Sequence, residues 1–159
     1  MNIDLKKITE ELIPTFEAAG QESIDIYKKG LKIEIKEDGS PVSNGDLKVN
    51  DMISKKIKEL TPDIPIISEE TVNLKEKNKN SVFWLIDPID GTKEYISGKD
   101  EYTLNAALVI EKKPVMGLVG VPKKKQLYYS DGIGKSFVKQ SGADKKIECK
   151  KKDKRDNII

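Results

Sequence analysis

Three acidic side chains near the middle of the sequence combine a residue type and a spacing that suit metal chemistry. Asp87 and Asp90 enclose a Pro-Ile pair, and Glu69 follows an earlier apolar run. Like charges this close repel and shift each other's pKa, so a bound cation would relieve the repulsion. Carboxylate oxygens are hard donors that favour Mg²⁺ over zinc or copper. A turn at the proline is expected to bring both aspartates to one side, with the carbonyl of Ile89 as a further ligand.

The residues after the second aspartate suit phosphate binding. Asp90 is expected to cap a short helix, and the amides of Gly91 and Thr92 would then be free to donate. Free amides at a helix N-terminus bind phosphate, and glycine lets the backbone approach the anion closely. A metal site beside a phosphate site indicates phosphoryl chemistry with metal-activated water. The alternative is an ordinary turn followed by a helix cap, with Glu69 at an exposed strand end.

The composition of the chain excludes several kinds of catalytic site and metal site. The 159 residues include no histidine, which excludes Ser-His-Asp triads and imidazole ligands. The single cysteine, Cys149, excludes an internal disulfide and a multi-cysteine metal site. The net charge of +2 gives no reason to expect a nucleic-acid partner. Neither a leader nor a run of about 18 apolar residues is visible, so we expect a cytoplasmic protein without a membrane partner.

Two amphipathic helices are predicted in the first part of the chain. Apolar residues recur at steps of three and four from residue 4 to about 28, and Pro14 is expected to strain or kink this helix. A similar pattern runs from Leu47 to Leu60 and ends before a proline. Between them, the alternating segment LKIEIKEDGSP predicts a short strand that leads into a loop.

The remaining elements are predicted to be strands. The segments IPIISEE and VFWLIDPID predict buried strands whose acidic ends emerge at one edge of a sheet, separated by a hydrophilic loop at 73–81. After residue 102, four apolar segments with turns between them predict an antiparallel meander. The lysine-rich segment at 145–155 is interpreted as a solvated tail.

Three segments, in this order, resemble a known enzyme family. SPVSNGD at 40–46, ISEE at 67–70 and WLIDPIDGTKEY at 84–95 are similar to the N-terminal half of the inositol monophosphatase family of Mg²⁺-dependent, lithium-sensitive phosphatases. Lys93-Glu94 and the segment from Asp100 are closer to the CysQ-type branch, the 3'(2'),5'-bisphosphate nucleotidases. The resemblance covers roughly residues 5 to 148. It implies an α/β (α+β layered) domain of the sugar-phosphatase fold, with helices packed on a mainly antiparallel sheet.

The resemblance also implies a ligand set for Mg²⁺, with two or three ions in a complete site. Glu69 would bind the first metal and help to orient the attacking water. Asp87 would bridge the metals, and the carbonyl of Ile89 would be a further ligand. Asp90 would bind the second ion.

Further roles follow from the same resemblance. Thr92 would bind and polarise the water with Asp46 as its hydrogen-bond partner, and the amides of Gly91 and Thr92 would hold phosphate. Taken without the resemblance, Asp46 also suits a helix N-cap before Leu47, and the two roles are compatible. Lys36 could face the site, although a solvated strand lysine is the favoured interpretation.

The implied reaction is hydrolysis of the 3'-phosphate of 3'-phosphoadenosine 5'-phosphate, giving AMP and phosphate. The alternative within the family is an inositol monophosphatase or a related sugar phosphatase, so the partner is a small phosphorylated nucleotide or sugar. The alternative from another class is a non-catalytic half-domain that binds phosphate, metal or a partner chain.

The sequence departs from the family pattern in one respect. Family members have a second domain whose Trp-Asp-x-Ala-like motif supplies another aspartate, and this motif is absent here. Residues 1–148 are therefore expected to form the N-terminal metal- and phosphate-binding domain. Residues 149–159 are expected to begin a linker to a missing C-terminal domain, whose place a complementing chain could take. Little or no turnover is expected from residues 1–159 alone.

Overall fold

The computed structural model describes residues 3–71 and 80–148. Most of the loop expected at 73–81, the linker expected at 149–159 and Cys149 lie outside the described residues. No helix of the described part is both long and apolar enough to cross a membrane. The elements, in chain order, are α1 (Leu5–Lys29), β1 (Ile33–Ile35), β2 (Pro41–Ser43), α2 (Asn44–Leu60), β3 (Ile66–Ser68), β4 (Val82–Asp90), α3 (Thr92–Ile96), β5 (Thr103–Ile110), β6 (Lys113–Val121), β7 (Gln126–Ser130), β8 (Ser136–Gln140) and β9 (Ala143–Ile147).

Helices α1 and α2 pack against each other and form one layer. The side chain of Asp4 caps α1 by accepting from the amide of Lys7 at 3.0 Å. The helix runs through Pro14 to Lys29, and its buried residues recur at the predicted helical spacing. Helix α2 starts at Asn44, three residues before the start that its apolar pattern predicts. Both predicted helices are therefore present.

A seven-stranded sheet forms the second layer, in the order β3-β4-β5-β6-β7-β8-β9. Strands β3 and β4 are parallel, and the other neighbours among the described strands are antiparallel. Alternate residues such as Trp84, Ile86 and Leu104 are buried in the core that also holds the apolar faces of both helices. The expected helices on a mainly antiparallel sheet are confirmed.

The other face of the sheet, which we call the open face, has no helix on it within the described residues. Leu85 on β4, Val119 on β6 and Tyr128 on β7 alternate with buried residues and keep 49%, 40% and 37% of their surface exposed. The open face therefore carries partly exposed apolar side chains on three of its strands. The acidic residues of the site lie on the same face.

Two strands were not predicted from the sequence. Strand β2 pairs with β1 in a separate hairpin, where only a loop was expected. Strand β9 pairs with β8 from Ala143 to Ile147, so the start of the lysine-rich segment is not a solvated tail. The residues of β9 are mostly exposed and charged, as is common on an edge strand, and such a sequence has no apolar pattern to identify it.

Candidate active site

Strands β3 and β4 bring the first acidic residues together. The strands are parallel, with Ser68 opposite Ile86, and the amide of Glu69 donates to the carbonyl of Ile86 at 3.1 Å. Glu69 therefore follows its strand at the same edge of the sheet as Asp87. The two carboxyl groups are close enough for Glu69 to raise the pKa of Asp87. The predicted meeting of two acidic strand ends is observed.

An irregularity in β4 decides where Asp90 points. Asp87 pairs with Asn105, but Asp90 pairs with Thr103, so three steps along β4 correspond to two along β5. Residues three apart in a regular strand point to opposite faces of the sheet. One extra residue returns Asp90 to the face of Asp87. The predicted turn at Pro88 is therefore wrong, since the strand continues through the proline and the irregularity redirects the side chain.

Asp87 is the most perturbed carboxyl group of the site. Burial raises its pKa to about 7, together with the charge and hydrogen bond of Glu69 and the charges of Asp90 and Glu70. Its Oδ1 atom is buried and has no hydrogen-bond partner. A buried carboxylate oxygen that has no hydrogen-bond partner among the described residues suits a cation, and hard oxygen donors suit Mg²⁺.

The side chains fit a divalent cation by donor type, but they do not yet converge on one point. Within residues 3–71 and 80–148, no three acidic, histidine or cysteine side chains form a ready-made metal cage. Glu69 and Asp90 are both exposed, and the side chain of Glu69 can rotate towards a cation at little cost. The main chain already places both residues beside Asp87.

The raised pKa of Asp87 makes the stability of the metal-free protein depend on pH. The folded state keeps this proton up to about pH 7, whereas the unfolded chain releases it near pH 3.9, the ordinary aspartate value. The contribution of the protonated Asp87 to the free energy of unfolding is therefore fully present below about pH 4 and is lost as the pH rises through 7. We expect Asp87→Asn to remove this slope and to raise the free energy of unfolding at pH 8 by on the order of 1 kcal/mol, allowing for solvent screening. Urea unfolding of parent and variant at pH 5 and 8 measures both effects, and equal slopes would contradict the assignment.

Asp46 and Thr92 form a second polar group beside the acids. The side chain of Asp46 is fully buried; its Oδ2 accepts from the amide of Ser43 at 2.8 Å and from the Ser43 hydroxyl. Its Oδ1 lies 3.0 Å from the Thr92 hydroxyl, which is also 3.1 Å from the carbonyl of Ile89. The predicted N-cap role of Asp46 is wrong, because Ser43 is the N-cap and Asp46 is the third residue of a capping box.

The turn into α3 also differs from its prediction. Gly91 occupies the N-cap position in the left-handed conformation, with φ 96°, and no side chain caps the helix. A Cβ atom at this position would lie 2.9 Å from the carbonyl oxygen of Glu101. Asp90 does not cap the helix, and its Oδ2 instead accepts from Nδ2 of Asn105 at 3.3 Å. Glycine is required here by conformation and by space.

Sequence reasoning missed two polar partners of the site and misjudged a third. Lys36 forms an ion pair with Glu70 at 2.9 Å, and the side chain of Glu70 is 4% exposed. Burial lowers the pKa of Lys36, but the hydrogen bond and charge of Glu70 outweigh that effect and raise it. The interpretation of Lys36 as a solvated strand lysine is therefore wrong. The role of Glu70 was missed, and so was Asn105, whose signal is a single amide within the apolar strand TLNAALVI.

Known proteins resemble this chain in sequence. Residues 4–159 match the model of the inositol monophosphatase family. The chain is 37% identical over 135 residues to the 3'(2'),5'-bisphosphate nucleotidase CysQ of Salmonella typhimurium. It is 34% identical over 131 residues to the protein of the same name from Haemophilus influenzae. The alignments cover 83% and 81% of this chain but 54% and 49% of those proteins, so the chain spans about half the length of these curated relatives.

Solved structures show the same fold at lower sequence identity. Staphylococcal inositol monophosphatase-1, in an inhibitory complex soaked in LiCl, superposes with a TM-score of 0.75 at 21% identity. The match covers 87% of this chain and 52% of that one. The extragenic suppressor protein suhB of Bartonella henselae gives a TM-score of 0.72 at 21% identity, covering 83% and 52%. The fold expected from the resemblance is confirmed.

Proposed function

The chain belongs to the inositol monophosphatase family, and from that premise we propose that it forms the metal- and phosphate-binding part of a Mg²⁺-dependent phosphomonoesterase. The observation that carries the proposal is the buried, unpartnered Oδ1 of Asp87, held beside the carboxylates of Glu69 and Asp90. Acidic side chains crowded in this way destabilise the metal-free protein, and a function that needs a cation explains why they are together.

Four ligands are proposed for Mg²⁺, namely the carboxylates of Glu69, Asp87 and Asp90 and the carbonyl of Ile89. When bound, the ions would activate a water molecule and neutralise charge on the displaced oxygen. The exposed carboxylate of Glu69 can adjust to the cation, while the half-buried Asp87 is held by its strand. The amides of Gly91 and Thr92 are proposed to hold the phosphoryl group.

Thr92 and Asp46 are proposed to supply the base that histidine supplies elsewhere. The Thr92 hydroxyl oxygen would accept a proton from the attacking water while its own proton moves to Oδ1 of Asp46, 3.0 Å away. Two hydrogen bonds from Ser43 occupy Oδ2 of Asp46 and leave Oδ1 for the threonine. The water then attacks phosphorus, and the bond from phosphorus to the ester oxygen breaks.

For the substrate we propose 3'-phosphoadenosine 5'-phosphate, with AMP and phosphate as products. The support is the name of the relatives at 37% and 34% identity, which are 3'(2'),5'-bisphosphate nucleotidases. A member of the same fold has been solved with D-inositol-1-phosphate bound, at 22% identity, so the inositol phosphates are the competing class.

The test is phosphate release by the full-length protein that carries this chain. We expect kcat/KM for 3'-phosphoadenosine 5'-phosphate to exceed the values for inositol 1-phosphate and fructose 1,6-bisphosphate by at least about tenfold, and to depend on Mg²⁺. A preference for inositol 1-phosphate would overturn the proposed substrate. Mg²⁺ binding without release of phosphate from any of the three would instead favour a non-catalytic binding module.

A further inference from the structure

Asn105 occupies a central place on the open face beside the acidic residues. Its neighbours in β5, Leu104 and Ala106, are buried in the core, so the strand is firmly held. Asn105 lies opposite Asp87, and Thr103 lies opposite Asp90. Residues opposite each other in an antiparallel pair share a face, and so do residues two apart in a strand. The amide is therefore the polar neighbour of both aspartates.

The amide group of Asn105 makes two hydrogen bonds that fix its orientation. Nδ2 donates to Oδ2 of Asp90 at 3.3 Å and to Oγ1 of Thr103 at 3.1 Å. Both hydrogens of the amide nitrogen are thereby used. A carboxylate accepts and does not donate when ionised, so the nitrogen rather than the oxygen of the amide must face Asp90. Thr103 holds Asn105, and Asn105 in turn holds Asp90.

Among the described residues, Asn105 is the side chain that donates a hydrogen bond to the Asp90 carboxylate. The side chain of Asp90 is exposed, and it is close enough to Asp87 for its charge to act on that carboxyl group. A lysine would restrain it as well, but the ammonium would neutralise the carboxylate and compete with a metal ion. A neutral amide orients the carboxylate and leaves its charge for a cation.

We propose that Asn105 is a positioning residue that holds one oxygen of Asp90 so that the other faces the acidic cluster and binds a divalent cation. This inference rests on the proposed function and deepens it, because it assigns the geometry of one ligand to a residue outside the DPIDGT motif. Thr103 supports the same geometry through Asn105.

The test is Mn²⁺ binding to the full-length protein, measured by electron paramagnetic resonance, with Asn105→Leu as the main variant. Leucine has a similar size but no donor, and we expect Mn²⁺ affinity to fall by roughly tenfold to a hundredfold. Thr103→Val should give a smaller loss in the same direction. Gln126→Leu is the matched control, since it makes the same polar-to-apolar change on β7, and it should leave Mn²⁺ binding unchanged.

A double-mutant comparison separates positioning from a merely structural role. If Asn105 acts through Asp90, then Asn105→Leu should cause no further loss of Mn²⁺ affinity in an Asp90→Asn background. The urea midpoint of metal-free Asn105→Leu should stay near that of the parent.

Three results would overturn the proposal: parental Mn²⁺ affinity in Asn105→Leu, an equal loss in both backgrounds, or no Mn²⁺ binding by the parent. If Mn²⁺ binding responds to these variants as expected but the parent hydrolyses no phosphomonoester, the proposed function is refuted. The role of Asn105 is then left intact.

Discussion

The variant Asp87→Asn is expected to release phosphate from 3'-phosphoadenosine 5'-phosphate at least about a hundredfold more slowly than the parent full-length protein at saturating Mg²⁺. Asparagine keeps the size of the side chain but removes the negative charge that a cation between Glu69 and Asp90 would need. The metal-free variant should fold at least as stably as the parent at neutral pH, because its change removes the carboxyl group whose pKa is raised to about 7. Lower activity together with higher stability would show that the variant has lost a metal ligand and has kept its fold.

Asp131→Asn provides a matched control for this experiment. Its Oδ1 is also buried without a hydrogen-bond partner, but Asp131 follows β7, away from the acidic residues of β3 and β4. Activity and its dependence on Mg²⁺ should be unchanged in this variant. Full activity in Asp87→Asn, or an equal loss in both variants, would show that Asp87 is not the centre of a metal site.

The largest effect on stability is expected from Gly45→Ala, which should lower the free energy of unfolding by about 2 to 3 kcal/mol. A Cβ atom at Gly45 would lie 2.5 Å from Oη and 2.7 Å from Cε1 of Tyr95. The ring cannot retreat easily, since Tyr95 is buried, donates to the carbonyl of Ser23 at 2.6 Å and packs against Tyr102. Gly45 is also next to Asp46, so the strain reaches the residue proposed to partner Thr92.

Gly20→Ala is the control for Gly45→Ala, because both glycines lie in helices. Its Cβ atom would meet Pro122 at 3.4 Å, an ordinary contact, and alanine favours a helix by about 0.5 to 1 kcal/mol. The two substitutions should therefore change stability in opposite directions when urea unfolding is compared. The double variant Gly45→Ala with Tyr95→Phe should recover part of the loss, since it removes the closest atom. Equal stabilities for both single variants would mean that the residues around Tyr95 shift and accommodate the added Cβ atom.

Much of the candidate site could be predicted because it depends on residue type and order. Three carboxylates at the ends of apolar runs were enough to predict that Glu69 and Asp87 meet at one edge of a sheet. The resemblance to the inositol monophosphatase family pointed to Thr92 and Asp46, whose hydrogen bond the structure contains. The first inference needed only the apolar runs and the chemistry of oxygen donors, whereas the second needed the family pattern.

Other features depend on tertiary structure and could not be read from local pattern. The proline in VFWLIDPID suggested a turn, whereas pairing with β5 keeps the segment extended. Lys36 and Glu70 are 34 positions apart, so their ion pair follows from how the β1–β2 hairpin lies against the end of β3. Strand β9 is stabilised by pairing with β8 rather than by an apolar face. In each case the structure of the segment is decided by a partner strand or side chain that lies elsewhere in the sequence.

The extra residue in β4 makes the site more sensitive to insertions and deletions than to many substitutions. Ile89 is buried, and its carbonyl is a backbone group, so valine or leucine there would keep every proposed oxygen ligand. Deleting that one residue would instead restore a regular ladder and shorten the path from Asp87 to Asp90 by one step. The two aspartates would still share a face, now two residues apart. Gly91 and Thr92 would be pulled along the sheet by one residue, so the hydrogen bond between Thr92 and Asp46 would be lost. Among related chains, the length of this segment should therefore vary less than the identity of its apolar residue.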